Sequence, residues 1–168
     1  MISFLSIKGK EFGVDEKIKS LVECLKDKKS CLNGKHFLKK NSNYETELCQ
    51  ILGFEEKQNR YYDAVWNEIK IEIKKGRSIW LDLLRYGEIL LGEGDEDTIT
   101  LFFISNKERN KVDKILIVET KKIIEKLALD KKYSEMLKSL KNQLPRSFNA
   151  QASLTIKDIE KISNEIID

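Results

Sequence analysis

The sequence is short of the residues on which several classes of functional site depend. Among its 168 residues there is one histidine, His36, which excludes every metal site that needs two histidine ligands. The three cysteines, Cys24, Cys31 and Cys49, form no C-x-x-C pair, and this favours neither a disulfide framework nor a structural zinc site. No nucleophile-elbow motif accompanies His36, so a Ser-His-Asp hydrolase is not indicated. An enzyme of this composition has to work with carboxylates, lysines and a hard metal such as magnesium.

Long apolar runs and targeting signals are also missing. No hydrophobic stretch is long enough to span a bilayer. The N-terminus begins with a short apolar segment that has neither a basic region before it nor a small-residue cleavage site after it, so no signal peptide is predicted. We therefore expect a cytoplasmic protein without a membrane partner.

The charge of the chain is mixed and close to balance. Its 31 basic and 28 acidic residues give a formal net charge of +3, with 40% hydrophobic and 35% charged residues. This balance is typical of a globular domain with a heavily charged surface. The small positive charge permits nucleic-acid binding without arguing for it, because an evenly mixed surface gives the same value. The length and the absence of repeats or linkers predict a single domain over residues 1–168.

Hydrophobic periodicity predicts helices and strands in mixed order. The predicted helices are Val14–Lys28, Tyr44–Leu52, Ser78–Leu91 (a buried helix that includes Trp80 and Leu90), Thr120–Leu129, Lys132–Lys141 and Lys157–Ile167, the last with Thr155 as its cap. The predicted strands are Arg60–Trp66, Glu68–Lys74, Thr98–Ile104 and Ile115–Val118. This order predicts an α/β (α+β) domain with a mixed central β-sheet flanked by helices. Strands Glu68–Lys74 and Thr98–Ile104 should be parallel, because a helix connects them.

Three chemically active side chains fall on two neighbouring predicted strands. Asp63 lies on the first strand, and Glu72 and Lys74 share one face of the second because they are two residues apart. A tight turn at Asn67 would bring Asp63 close to Glu72. Two carboxylates can hold a magnesium ion and leave room for water and a phosphate oxygen. A neighbouring lysine can orient that water, help to deprotonate it or stabilise the phosphate.

This spacing resembles a known nuclease motif. Asp63, eight intervening residues and then Glu72-Ile-Lys74 are similar to the PD-(D/E)XK motif of restriction endonucleases and related repair and recombination nucleases. Tyr62 stands where the motif has its proline. The family core is a helix, a three-stranded meander with the motif on its last two strands, a second helix and a further strand. The resemblance covers roughly residues 44–118 and implies a short opening strand near Phe54.

The resemblance implies a function of the Type II restriction endonuclease class. Such an enzyme cleaves double-stranded DNA at a short specific sequence with magnesium, and cutting both strands of a palindrome implies a homodimer. The segments 14–28 and 120–168 are additions that would serve dimerisation or DNA recognition. Asp63, Glu72 and Lys74 would be catalytic, and Asp63, Glu72 and Glu47 would hold the metal. Glu45 is the alternative to Glu47.

Several polar side chains are candidate DNA contacts. A basic turn follows the third predicted strand, and a segment rich in Arg, Asn and Gln, side chains that read base edges, covers residues 145–153. The candidates are Lys75, Arg77, Lys107, Arg109, Arg146, Asn149 and Gln151.

Two other functions stay open at this point. A structure-selective repair or recombination nuclease on the same core would read DNA shape and would not cut plain duplex plasmid specifically. A non-enzymatic interaction protein would carry the same charged strand as a solvated edge, where alternating Glu and Lys prevent aggregation. A second E-x-K string, Glu68-Ile-Lys70, lies in the same strand and keeps this interpretation open.

Overall fold

A computed structural model describes residues 16–39, 43–77, 79–90, 92–95, 97–129 and 151–168. These residues form a mixed six-stranded sheet with helices against its two faces, and a separate two-stranded sheet. The predicted α/β class with a mixed central sheet is confirmed. Within the described ranges, no helix has the length and apolar character needed to cross a membrane.

The helices and strands follow one another in mixed order. Helices α1 to α5 cover residues 16–28, Tyr44–Leu52, Leu83–Leu90, Thr120–Leu129 and Ile156–Ile162, and two 3-10 turns cover Lys29–Leu32 and His36–Leu38. Strands β1 to β8 cover Glu55–Glu56, Ala64–Trp66, Ile69–Gly76, Ile79–Asp82, Ile99–Ser105, Val112–Glu119, Gln151–Leu154 and Glu165–Ile167. The large sheet has the order β1-β2-β3-β5-β6-β8. Among the described strands of this sheet, β3 and β5 are the only parallel pair, as predicted.

Apolar side chains on the two faces of the sheet build two cores. On β3, Ile69, Ile71 and Ile73 point to one face and pack with residues of α1 and α2. Phe102 of β5 and Leu116 of β6 point to the other face and pack with residues of α3, α4 and α5. The alternation of β3 therefore turns Lys70, Glu72 and Lys74 toward the face that α3 covers.

The β2–β3 hairpin has a two-residue loop that brings the motif strands together. Trp66 pairs with Ile69, which leaves Asn67 and Glu68 as the loop, with φ angles of 46° and 66°. Two consecutive left-handed residues are the signature of a type I′ turn, whose twist matches that of the strands. The tight turn predicted at Asn67 is confirmed. Glycine is the preferred second residue of this turn, because a Cβ atom is disfavoured there.

We expect Glu68→Gly to raise the free energy of unfolding by about 0.5–1 kcal/mol, because it relieves the left-handed backbone. The ion pair that is lost, from Lys17 to Glu68, lies in solvent and contributes little. Glu68→Ala is the matched control, since it removes the same ion pair and keeps the unfavourable φ. Urea unfolding of both variants checks the prediction. Equal stability of the two variants would contradict it.

The predicted helix Ser78–Leu91 is wrong in its first part. Residues Ile79–Asp82 form β4, which pairs antiparallel with β7, and α3 covers only Leu83–Leu90. Burial along β4 alternates with the period of a strand, so that Trp80, predicted as buried, is 57% exposed. Leu90, also predicted as buried, is 41% exposed at the end of α3. Position 78, where this helix was predicted to begin, lies outside the described residues.

The predicted helix Lys157–Ile167 is wrong in its second part. Its predicted cap Thr155 is confirmed, but the helix ends after about two turns and the chain continues as β8 along the edge of β6. Asn164 makes this change of direction: its side chain accepts a hydrogen bond from the backbone N–H of Glu119 and donates one to the Glu119 carboxylate, both at 2.9 Å. A local polar bridge to the sheet therefore replaces the expected last helical turns.

Two other predictions concern the segment between α4 and α5. The predicted helix Lys132–Lys141 lies outside the described residues. The segment 145–153 was predicted as a DNA-reading loop, and its described part belongs to β7. The predicted strand Arg60–Trp66 is shorter in the structure, where β2 begins only at Ala64.

Candidate active site

Asp63 lies immediately before β2, at the point where the pairing with β3 ends. Its backbone N–H donates to the carbonyl of Ile71 at 2.8 Å. Its carboxylate accepts the backbone N–H of Ile73 at 2.7 Å, in place of a further main-chain acceptor. Continued by one residue, the β2–β3 register sets Asp63 opposite Glu72. The hairpin thus brings together the two carboxylates that the sequence pairs.

Glu72 is a buried carboxylate at the centre of the site, with its side chain 5% exposed. Its Oε1 atom lies 2.7 Å from Nη1 of Arg85 and 3.3 Å from Nζ of Lys74. Its Oε2 atom is buried and has no hydrogen-bond partner among the described residues. A buried carboxylate oxygen without a donor is costly, and it marks a position where a ligand would fit.

The two carboxyl groups have raised pKa values. Burial raises the pKa of Glu72 to about 7, and the Asp63 carboxylate adds to the shift against the opposing effects of Lys74 and Arg85. Burial also raises the pKa of Asp63, against the hydrogen bond from the Ile73 N–H. The pKa of Glu72 stays raised even though two cations lie beside it, because the effect of burial outweighs theirs.

Arg85 belongs to the site although no sequence motif indicates it. Asp82 ends β4 and caps α3, because its Oδ1 accepts from the backbone N–H groups of Leu84 at 3.0 Å and Arg85 at 3.4 Å. The cap fixes the helix start so that the Arg85 side chain reaches back to Glu72 on β3. The available signal was the Asp-x-x-Arg spacing after an Ile-Trp-Leu strand, which the prediction of one continuous helix obscured.

Helix α3 also holds the segment that leads into Asp63. Glu88 is buried, and its carboxylate accepts from Arg60 Nε at 2.6 Å, from Arg60 Nη2 at 3.2 Å and from the Tyr61 hydroxyl at 3.1 Å. Arg60 and Tyr61 stand just ahead of Asp63 in the chain. Helix α3 therefore contacts both parts of the motif. Glu88 holds the segment that precedes Asp63, and Arg85 contacts Glu72.

An open cleft of about 440 Å³ leads from solvent to Asp63. Its lining comes from the start of α2 and the β1–β2 connection, namely Asn43, Glu45, Glu56, Lys57, Gln58, Asn59 and Asp63. Glu45 lies in this lining, whereas the Glu47 carboxylate accepts the backbone N–H of His36 at 3.1 Å. The geometry therefore favours Glu45 over Glu47 as the helix glutamate that could join Asp63.

The donor set of this site suits magnesium. Asp63 and Glu72 offer carboxylate oxygens, and the Glu72 Oε2 atom is an acceptor without a partner in the described part of the chain. No group of three or more His, Cys, Asp or Glu side chains within the described ranges could hold a metal ion. Magnesium needs no such cage, because it is commonly held by one or two carboxylates and keeps water and substrate phosphate as its other ligands. The residues present therefore fit this ion.

Lys75, a candidate DNA contact, makes contacts within the protein. Its ammonium group donates to the backbone carbonyls of Phe37 and Lys39 and lies 5.0 Å from the centre of the Tyr44 ring. Burial lowers the pKa of Lys75, and Arg109 lowers it further. In this arrangement Lys75 holds the second 3-10 turn against β3.

Three other candidate DNA contacts lie, like Lys75, at the carboxyl ends of strands β3 and β5. Arg77 follows the last residue of β3, and Lys107 and Arg109 lie in the β5–β6 turn, which follows the parallel strand beside β3. Asn106 shapes this turn by accepting the N–H groups of the two residues that close it. Gln151 is exposed on β7, opposite Asp82. Arg146 and Asn149 lie outside the described residues.

Comparisons of this chain with protein-family models, with curated proteins and with solved structures give no match. The resemblance to the PD-(D/E)XK motif stays a prediction from the sequence.

Proposed function

We propose that this chain is a magnesium-dependent endonuclease that hydrolyses phosphodiester bonds of double-stranded DNA at a short specific sequence, as Type II restriction enzymes do. The observation that carries the proposal is that Asp63 and Lys74 lie beside the buried Glu72 carboxylate, next to an open cleft. The order α2, β1–β2–β3, α3, β5 supports it, because the motif resemblance implies this order, with β4 as an insertion.

The residues of the site divide the work of hydrolysis between them. Asp63 and Glu72 would hold the magnesium ion through carboxylate oxygens. When bound there, the ion would supply positive charge that acidifies a water molecule and offsets charge that develops on the phosphate. Lys74 presents its ammonium group 3.3 Å from the Glu72 carboxylate, where it can orient that water and stabilise the phosphate oxygens.

The position of β3 argues against a purely solubilising role for its charges. That interpretation required an exposed edge strand, and it is wrong, because β3 lies between β2 and β5 and Glu72 is buried. In an ordinary protein interior, burying an incompletely paired carboxylate lowers the free energy of unfolding by on the order of several kcal/mol. Such a cost is typical of residues kept for a function.

The surroundings of the site support DNA as the substrate. Arg77, Lys107 and Arg109 supply positive charge at the carboxyl end of β3 and β5, where they can contact backbone phosphates. The described part of the chain carries one such site, and cutting both strands of a palindromic sequence needs two sites related by a two-fold axis. The proposed enzyme is therefore a homodimer that acts in the cytoplasm.

Plasmid digestion by the purified protein tests the proposal. With magnesium we expect discrete fragments, and Lys74→Ala should slow their formation by about 100-fold or more, because a preorganised cation is lost from the reacting phosphate. The matched control is Lys70→Ala, on the same face of β3, where Lys70 pairs with Asp95 at 3.1 Å and Asp97 at 3.6 Å. This variant should cleave like the wild type.

Other outcomes would change the assignment. Cleavage restricted to branched DNA would give the site to a structure-selective nuclease on the same core. An equal loss in the Lys70 and Lys74 variants would contradict the choice of Glu72 and Lys74 over the second E-x-K string. A folded protein that cleaves no DNA with any of several divalent metals would overturn the proposal of an enzyme.

A further inference from the structure

Arg85 forms an ion pair with Glu72, one of the two carboxylates that would hold the proposed metal ion. Its Nη1 atom lies 2.7 Å from the Oε1 atom of Glu72, and Lys74 approaches the same oxygen atom at 3.3 Å. In formal charge, Asp63 and Glu72 are balanced by Lys74 and Arg85. The site is therefore neutral without a metal ion, and Arg85 supplies half of the positive charge.

The contact between Arg85 and Glu72 differs from that of a permanent ion pair. An arginine in a fixed structural pair commonly makes two parallel bonds to one carboxylate, and Arg60 does so with Glu88 one turn further along α3. Arg85 makes a single hydrogen bond to Glu72, and its buried Nε atom has no partner among the described residues. Arg85 thus has an N–H donor that makes no hydrogen bond among the described residues, and Glu72 has an acceptor atom, Oε2, that makes none either.

We propose that Arg85 is a phosphate-binding residue of the active site that rests on Glu72 until a divalent cation takes over that carboxylate. This inference rests on the proposed function. A magnesium ion held by Asp63 and Glu72 would raise the formal charge of the site to +2, and it would repel the nearby guanidinium group. The side chain of Arg85 is 26% exposed, so it can turn toward a substrate bound at the surface of the site.

The phosphodiester group is the partner that the displaced guanidinium group suits. Arginine presents several N–H donors in a planar fork that matches two phosphate oxygens. The cap at Asp82 holds Arg85 in the first turn of α3, where it cannot leave the neighbourhood of Glu72. Arg85 would thus serve in turn as a counter-ion for the metal-free site and as a ligand for the substrate phosphate.

Titration with magnesium alone, without DNA, tests the first half of this inference. Isothermal titration calorimetry at about pH 8.5, above the pKa of Glu72, would compare the wild type with Arg85→Ala. We expect the variant to bind magnesium about 10-fold more tightly, because a competing cation has been removed. The control is Lys114→Ala. Lys114 lies on β6, and its ammonium group is 2.9 Å from the Glu160 carboxylate, so the variant also removes a paired positive charge but should leave magnesium affinity unchanged.

Cleavage at saturating magnesium tests the second half. Arg85→Ala should lose about 100-fold in cleavage rate in spite of its tighter metal binding, because the phosphate ligand is missing. Unchanged or weaker magnesium binding by a folded variant would overturn the inference and leave Arg85 as structural support. If Arg85→Ala does not fold, Arg85→Gln provides the same comparison. If the wild type cleaves DNA with magnesium and the Arg85 variants match it in both measurements, this inference alone is overturned. If the wild type does not cleave DNA, the proposed function is overturned.

Discussion

Glu72→Gln should abolish DNA cleavage and, at the same time, make the metal-free protein more stable at neutral to basic pH. We expect the cleavage rate to fall roughly 1000-fold, because the amide cannot replace an anionic magnesium ligand. The gain in stability follows from the raised pKa of Glu72, at about 7 against an ordinary value of 4.5. Burial favours the neutral carboxyl group, and glutamine is its permanently neutral counterpart.

The pH dependence of this gain has a definite sign. Because the folded-state pKa of Glu72 is raised, its favourable contribution to stability is fully present below pH 4.5 and is lost as the pH rises through about 7. Glu72→Gln avoids that loss, so its advantage in unfolding free energy should be about 3 kcal/mol at pH 8 and under about 1 kcal/mol at pH 5. Urea unfolding without magnesium at both pH values measures the difference.

An exposed glutamate supplies the matched control for this prediction. Glu55→Gln removes the same charge from a residue that is exposed on β1 and pairs with Lys57 in solvent, so it should give no such pH-dependent gain. A Glu72→Gln variant that is less stable than the wild type at pH 8 would contradict the prediction. The expected combination, higher stability with lost activity, is what a residue kept for function at a cost to folding should show.

The motif carboxylates could be predicted from the sequence because their placement depends on local geometry. The unbroken alternation along β3 puts Glu72 and Lys74 on one face, whatever the rest of the fold does. The two-residue turn at Asn67 fixes the register of the hairpin and hence sets Asp63 opposite Glu72. A strand and a tight turn are both visible within about a dozen residues of sequence, as short-range signals.

Arg85 could not be predicted because its position depends on a distant strand. The apolar residues Ile79, Trp80 and Leu81 fit either a short strand or the start of a helix, and periodicity does not decide between them. The strand is selected by β7, whose residues pair with β4 from some 70 positions further along the chain. Only when β4 ends at Asp82 does the start of α3 carry Arg85 to Glu72.

The choice between Glu45 and Glu47 was open for a different reason. Residues two apart on a helix point in widely different directions, so only one of them can face a given neighbour. Which one faces the site depends on the rotation of α2 against the sheet, and the sequence carries no signal for it. In the structure, the backbone N–H of His36 engages Glu47 and the cleft beside Asp63 is lined by Glu45.

Two substitutions at Asp63 should separate its chemical role from its structural one. Asp63→Asn is expected to lose cleavage roughly 1000-fold, because a charged metal ligand is gone. Its free energy of unfolding should not fall, because burial already raises the pKa of the Asp63 carboxyl group and so favours a neutral side chain. The asparagine amide oxygen can still accept the Ile73 N–H that the carboxylate accepts at 2.7 Å. Asp63→Ala loses that acceptor as well and should cost a further 1–3 kcal/mol, roughly, in stability. Urea unfolding and plasmid digestion of both variants supply the two measurements.

The comparison of these two variants decides which interaction of Asp63 matters for the reaction. If Asp63 only closed the hairpin, Asp63→Asn would cleave DNA like the wild type and only Asp63→Ala would be impaired, in proportion to its loss of structure. Retained cleavage in Asp63→Asn would then require another carboxylate beside Glu72, and Glu45, on the same cleft, would be the residue to change next. Loss of cleavage in a fully folded Asp63→Asn variant leaves charge as the property that was removed. Charge at Asp63 serves the binding of a cation, whereas the hydrogen bond to Ile73 needs none.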